Sequence, residues 1–212
     1  MDITQIIEHQ HAEQRRMFAM LEEWPRDDAE GLAAVWTRLE VLLETHAEAE
    51  ERYFYPELLR LGTGAADAES TEEEVKDAVK DHNDLRKAIR KVARCRTGSA
   101  AWWTAVTDAN VYNSNHMAEE ERQDLADFRQ RASLELRHEI GLQFLRYEAL
   151  KAATGVPPKD KDPDAYVRSR TKAAASPTAK KAARKAAAAA TTAPVKRAAS
   201  KKASKEAASA ES

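Results

Sequence analysis

The stretch WTRLEVLLETHAEAEERYFYPEL, residues 36–58, decides how the rest of the chain is read. Within it Trp36, Leu39, Leu43, His46, Glu50 and Tyr53 follow spacings of three, four, three, four and three. That rhythm is the core-facing seam of a bundle helix. A glutamate on such a seam must be neutralised, paired or bound to metal, because a bare buried charge is very costly. Glu50 lies four residues after His46. At that spacing the two side chains share a face, roughly 6 Å apart along the axis, a gap one metal ion can bridge.

Working outward, three more helices carry the same kind of seam. The fourth has Trp102, Val106, Ala109, Asn113, His116 and Glu120 in line. The first aligns Ile3, Ile7, His11 and Phe18, and the third aligns Val75, Val79, His82, Ile89 and Val92. Start signals agree: Asp2 with Gln5, Asp27 with Glu30, Thr71 with Glu74, and Ser99 after Thr97-Gly98. Trp24-Pro25 ends the first helix, and Leu61-Gly62-Thr63-Gly64 follows the second. Connections this short predict an all-α, antiparallel up-down four-helix bundle over residues 1–130. A fifth segment over 131–155, with Leu136, Ile140, Phe144 and Tyr147 at helical spacing, is expected to pack on it. Pro157-Pro158 and the Asp/Lys run after it read as the end of the folded part. Residues 156–212 then form a linker and a tail.

The seam residues repeat. His46-Ala-Glu-Ala-Glu50-Glu51-Arg52 parallels His116-Met-Ala-Glu-Glu120-Glu121-Arg122, and Gln10-His11-x-x-x-Arg15-Arg16 parallels Asp81-His82-x-x-x-Arg86-Lys87. Each half offers one helix with a single histidine and one with HxxxE. Two halves related by a pseudo-twofold axis bring six donors to the bundle midline: His11, His46, Glu50, His82, His116 and Glu120. Imidazole suits iron, zinc or copper, and carboxylates able to bridge favour a pair of iron or manganese ions. A zinc site would more often be one compact tetrahedron. If both glutamates bridge, open positions remain for dioxygen, peroxide, an oxo bridge or nitric oxide.

The segments QHAEQRRMFAML around His11, HAEAEERYFYPEL around His46, DHNDLRKAI around His82 and HMAEEER around His116 resemble the hemerythrin-like HHE cation-binding domains. The resemblance covers about residues 1–130. It implies two iron ions, oxo- or hydroxo-bridged, ligated by His11, His46, His82 and His116 with Glu50 and Glu120 bridging. The chain lacks the fifth histidine and aspartate ligand of the oxygen-carrying hemerythrins. It is more similar to the branch with two HxxxE motifs, which includes di-iron proteins that repair iron centres after nitrosative stress. The resemblance therefore implies sensing, detoxification or iron handling of a small diatomic or peroxide ligand rather than oxygen transport. It does not separate turnover from binding.

Other residues read as bystanders. His9 is about 200° around the helix from His11, and His138 has no partner in the pattern. Glu48, Glu51, Glu119 and Glu121 read as solvated or paired with arginine. Asn113 and Tyr53, each one turn from a seam ligand, are candidates to support the site or to make plain interhelical contacts. The tryptophans read as core or rim. Cys95, flanked by Arg94 and Arg96, reads as incidental.

Composition sets the outer bounds. Charged residues make up 33% of the 212, aromatics 6%, with 6 glycines and 7 prolines, which favours helix over strand. One cysteine excludes an internal disulfide and fits a reducing compartment. No apolar run suits a bilayer, and MDITQIIEHQH lacks the pattern of a signal peptide, so a cytoplasmic protein without membrane partners is expected. The net charge of −2 hides a split. Residues 168–212 hold twelve Lys or Arg and two acids, +10, so residues 1–167 carry −12. The tail resembles the Lys/Ala-rich tails of bacterial histone-like proteins and lacks the apolar surface to order itself, so it is expected to be disordered. The rival function follows from it: a nucleoid-associated or polyanion-binding interaction protein, with the bundle as scaffold and residues 168–212 on DNA.

Overall fold

The computed structural model describes residues 1–64, 70–152 and 154–175, all but Ala175 within one compact unit, Met1–Ala174. Every regular element in them is helical: α1 (Ile3–Glu23), α2 (Ala29–Ala49), α3 (Tyr55–Leu61), α4 (Thr71–Val92), α5 (Ala100–Arg122), α6 (Asp124–Arg131), α7 (Leu134–Lys151) and α8 (Pro163–Ala175). The expected helices appear as α1, α2, α4, α5 and α7. No helix among the described residues is long and apolar enough to cross a membrane.

Local chemistry explains where the helices begin. Asp2, Asp28, Ser70, Ser99 and Ser133 each accept a backbone N–H from the first turn, a contact typically worth about 1 kcal/mol. Two of these caps are one residue away from the expected ones, in opposite directions. Asp28, not Asp27, caps α2, because its carboxylate takes both the Gly31 N–H and the Trp24 indole N–H, each at 2.9 Å. Ser70, not Thr71, caps α4. Gly98, at φ +76, supplies the left-handed turn ahead of α5.

α1, α2, α4 and α5 touch in a closed ring, α1 to α2, α2 to α4, α4 to α5 and α5 to α1, while α7 lies against α1 and α2. The ring holds two apolar clusters. One centres on Met17, Leu21, Leu32, Leu39, Ile89 and Trp102, with Trp36 and Trp102 edge to face at 6.2 Å between centroids. The other joins Ile3, Ile7, Phe54, Val79, Phe128 and Phe144 from five elements. Each such buried side chain contributes about 1.5–3 kcal/mol. Between the clusters lies a buried polar layer containing every histidine of the expected site.

α2 does not run straight into α3. Residues Glu50–Phe54 make a π turn, in which the Tyr55 N–H bonds the Glu50 carbonyl five residues back. The wider turn advances the seam by a residue. Phe54 and Tyr55 enter the core, and Tyr53, expected on the seam, is only half-buried and packs on Tyr147.

The stretch read as linker differs most from expectation. The chain after Pro157-Pro158 returns to the bundle, and α8 places Tyr166 and Val167 in the core. Its start signal is present in the sequence: Asp162 accepts the Ala165 N–H, and Pro163 takes the first helical position. The tail was expected to be disordered from 168, but residues 168–175 belong to this helix, built of alanine and basic residues that favour helix. The rest of the expected disordered tail, 176–212, lies outside the described residues.

Candidate metal centre

The polar layer gathers all six expected donors. His11, His46, His82 and His116, and Glu50 and Glu120, are each no more than 3% exposed. The imidazole Nε2 atoms meet in two pairs, His11 with His46 and His82 with His116, both 3.1 Å apart. Glu50 stands between the pairs: Oε1 is 2.9 Å from His46 Nε2, and Oε2 is 3.3 Å from His82 Nε2. Glu120 Oε2 is 3.3 Å from His11 Nε2 but 4.0 Å from its own HxxxE partner, His116. Two donor groups result, His11–His46–Glu50–Glu120 and Glu50–His82–His116, each compact enough to hold a metal ion.

The backs of the rings are held as firmly as their fronts converge. His11 Nδ1 meets Glu121 at 2.9 Å, His82 Nδ1 meets Glu51 at 2.9 Å, and His46 Nδ1 meets the Gln10 side-chain oxygen at 2.6 Å. A carboxylate or amide oxygen can only accept, so each Nδ1 carries the proton and each Nε2 is left for the centre. The crossing is regular. Glu51 follows Glu50 yet serves the histidine of α4, and Glu121 follows Glu120 yet serves the histidine of α1. Arg15 and Arg86, each four residues past its helix's histidine, hold Glu121 and Glu51 in turn.

Glu51 and Glu121 were expected to be solvated or paired with arginine. The arginine pairing is present, but Glu51 is fully buried and both acids also brace histidines. The missed signal was the doubled glutamate with its HxxxR counterpart in each half. Gln10 was missed as well. Asn113 makes an interhelical contact, donating to Gln14 at 2.9 Å. His9 and His138 are exposed and outside the cluster, as is Glu119. Glu48 is buried and bonded by Arg52. Tyr55, unmarked in the sequence reading, stacks on the His82 ring at 5.8 Å. Cys95 is half-buried and free of any disulfide.

The electrostatics suit a cation. Both oxygens of Glu50 and both of Glu120 are buried without a properly aligned hydrogen-bond donor. Burial disfavours protonated His11 and His82, yet the surrounding glutamates outweigh it and push both up to about 9. Burial and the neighbouring His82 push His116 well down. At neutral pH His11 and His82 therefore each hold a proton that a bound cation would displace. Glu51 is driven down to about 2, its burial outweighed by His82, Arg86 and Lys161. Histidine nitrogens converging on two undonated, buried carboxylates suit a metal cation.

The centre is not sealed. A cleft of about 610 Å³ between α4 and α5 reaches His116 and Glu120, and acids such as Asp81, Glu119 and Asp124 line it. Burial near Glu119 pushes Asp81 up to about 6.

No curated protein and no solved structure matches the chain. A family model does, the hemerythrin HHE cation binding domain, over residues 2–127, which takes in all six donors and both bracing glutamates. The chain belongs to the hemerythrin family of HHE cation-binding domains.

Proposed function

We propose that the chain is a di-iron protein of the two-HxxxE kind, ligated by His11, His46, His82, His116, Glu50 and Glu120. It binds or reacts with dioxygen, peroxide or nitric oxide in sensing, detoxification or iron handling. The four long helices are taken as an antiparallel up-down bundle, in keeping with their ring of contacts and short connections. One observation carries the reading: the imidazoles converge through Nε2 while acceptors behind three of them fix the Nδ1 protons. A carboxylate between the two pairs, with one oxygen toward each, favours two ions over one. Bound iron would supply redox chemistry and sites for a small ligand. The chain's own part is to orient the imidazoles, exclude water with the two apolar clusters, and admit small species along the cleft at His116.

The test is metal content. Protein from iron-replete cells should carry about two irons per chain and a near-ultraviolet charge-transfer absorption. Protein without stoichiometric metal would sink the reading.

The charge split supports a second role. We propose that the basic tail binds DNA without reading sequence, holding the centre near the nucleoid in the cytoplasm. A salt titration of duplex binding should show steeply salt-dependent affinity that disappears when residues 176–212 are removed, with metal content unchanged. The cut falls after Ala175 so that every described residue of α8 is kept. Equal binding by both forms would refute the tail's role.

A further inference from the structure

One segment outside the matched domain reaches the metal centre. Past α7 the chain turns back, and Lys161 places its ammonium on Glu48 at 2.9 Å and on Glu51. Glu51 braces His82 through its Oε1, which also takes Arg86 at 3.0 Å, while Lys161 occupies Oε2. The segment is pinned from both sides. Asn83, next to His82, clasps the Lys161 backbone in two hydrogen bonds, donating to its carbonyl at 2.8 Å and accepting its N–H at 3.2 Å. Arg90 holds the Asp160 carboxylate with two bonds of 3.1 and 3.0 Å. On the other side, the Tyr166 hydroxyl donates to the Glu51 backbone carbonyl.

Charge explains why a cation is needed there. Glu44, Glu48 and Glu51 are all buried at the end of α2, and Arg86 is the buried cation among them. Arg52 reaches only Glu48, and its side chain is half in solvent. Without Lys161 the cluster is left with an excess of buried negative charge, a costly condition. Glu51 would then be free to turn from His82 or to pair with Arg86 alone. A carboxylate behind a ligating imidazole fixes its ring and raises its basicity, so loosening Glu51 weakens the metal bound by His82.

We propose that residues 160–166 form a strap in which Lys161 is a positioning residue for the His82 side of the metal centre, acting through Glu51. The proposal rests on the metal-binding reading of the site. It adds a contribution from outside residues 2–127, from a part of the chain that the family model does not reach.

The test titrates the full-length metal-free protein with Co²⁺ in the absence of oxygen and follows the visible cobalt bands. Wild type should take up two ions. Lys161→Met should keep one at wild-type affinity and bind the other about 10–100-fold more weakly. The weakened band should be the one that His82→Ala abolishes, not the one that His46→Ala abolishes. Lys161→Arg, which retains the charge, should restore the affinity. Far-ultraviolet dichroism checks the fold, and Lys161→Gln stands in if the methionine variant does not fold. Two ions bound by a folded Lys161 variant as tightly as by wild type would overturn the strap, as would equal weakening of both ions. Failure of both substitutions to fold would make Lys161 a folding residue and also overturn it. Wild type that binds no cobalt refutes the metal reading itself.

Discussion

The α1–α2 half of the centre and the α4–α5 half carry the same motif, and their surroundings differ. In both, an arginine four residues past the histidine holds a glutamate that braces the histidine across the repeat. Arg15 and Glu121 do this at the surface, with side chains 45% and 31% exposed, whereas Arg86 and Glu51 do it at 2% and 0%. The first half has both carboxylates close to His11 and a Gln10 contact behind His46. The second has Glu50 alone beside His82, and Asp81, the counterpart of Gln10, lies on the cleft instead of bonding His116. A repeated sequence thus sets up two similar clusters of histidine and glutamate, and the segments packed outside the ring make them unequal. α7 supports the first half, with Glu148 accepting from Gln10, and Lys161 bonds Glu48 and Glu51 beside the second.

The largest effect should come from the residue the halves share. Glu50→Ala should remove both metals and with them the holo stabilisation, about 4 kcal/mol per site at a thousandfold excess over Kd. The measurement is the melting temperature with and without Fe²⁺. His46→Ala should forfeit only its own half, and a Glu50 variant that keeps one tightly bound ion would mean that Glu50 does not serve both.

Next come the bracing glutamates, which test whether burial separates the halves. Glu51→Gln should weaken the second-half metal about 10–100-fold. Glu121→Gln should cost the first half only a few-fold, because water and salt screen an exposed contact. Equal losses in a metal titration would break the comparison.

Protons give a smaller but sharper test. With His11 and His82 held near 9, metal loading at pH 7 should release about two protons, one from each imidazole pair, and fewer as pH passes 9. An indicator dye reads the count. The sign for the metal-free fold follows. These raised histidines stabilise it fully below pH 6.5, and that stability is lost as pH rises through about 9. Metal-free protein should therefore melt progressively lower between pH 6.5 and 9.5.

Smallest of all, His9→Ala and His138→Ala should change neither metal content nor melting, since both are exposed away from the donors. Metal loss in the His9 variant would show that the α1 face has been misassigned.

The helices and the burial of the six clustered side chains were legible because each depends on local periodicity. A seam at three- and four-residue spacing has one core-facing side, and a histidine or glutamate on it has nowhere else to go. The repeat then fixed how many donors meet. Tyr53 escaped this logic, since a π turn changes the period where the pattern was being counted. Glu51 escaped it because it stands off the seam, and its burial depends on groups from α4 and on residues 161–166.

By itself, then, the sequence determined an all-helical chain with two HxxxE pairs and two further histidines on its apolar seams, and a charge split between body and tail. Only the tertiary structure decided which histidines pair, that Glu120 leans toward His11 across the repeat, and that Lys161 pairs with Glu51 from outside the matched domain. The physical reason is distance along the chain. Helical periodicity is set within a few residues, whereas a salt bridge joining Glu51 to a lysine 110 positions later leaves no local trace. It appears only once a charged segment is drawn onto the bundle by a tyrosine, an asparagine and a buried acid.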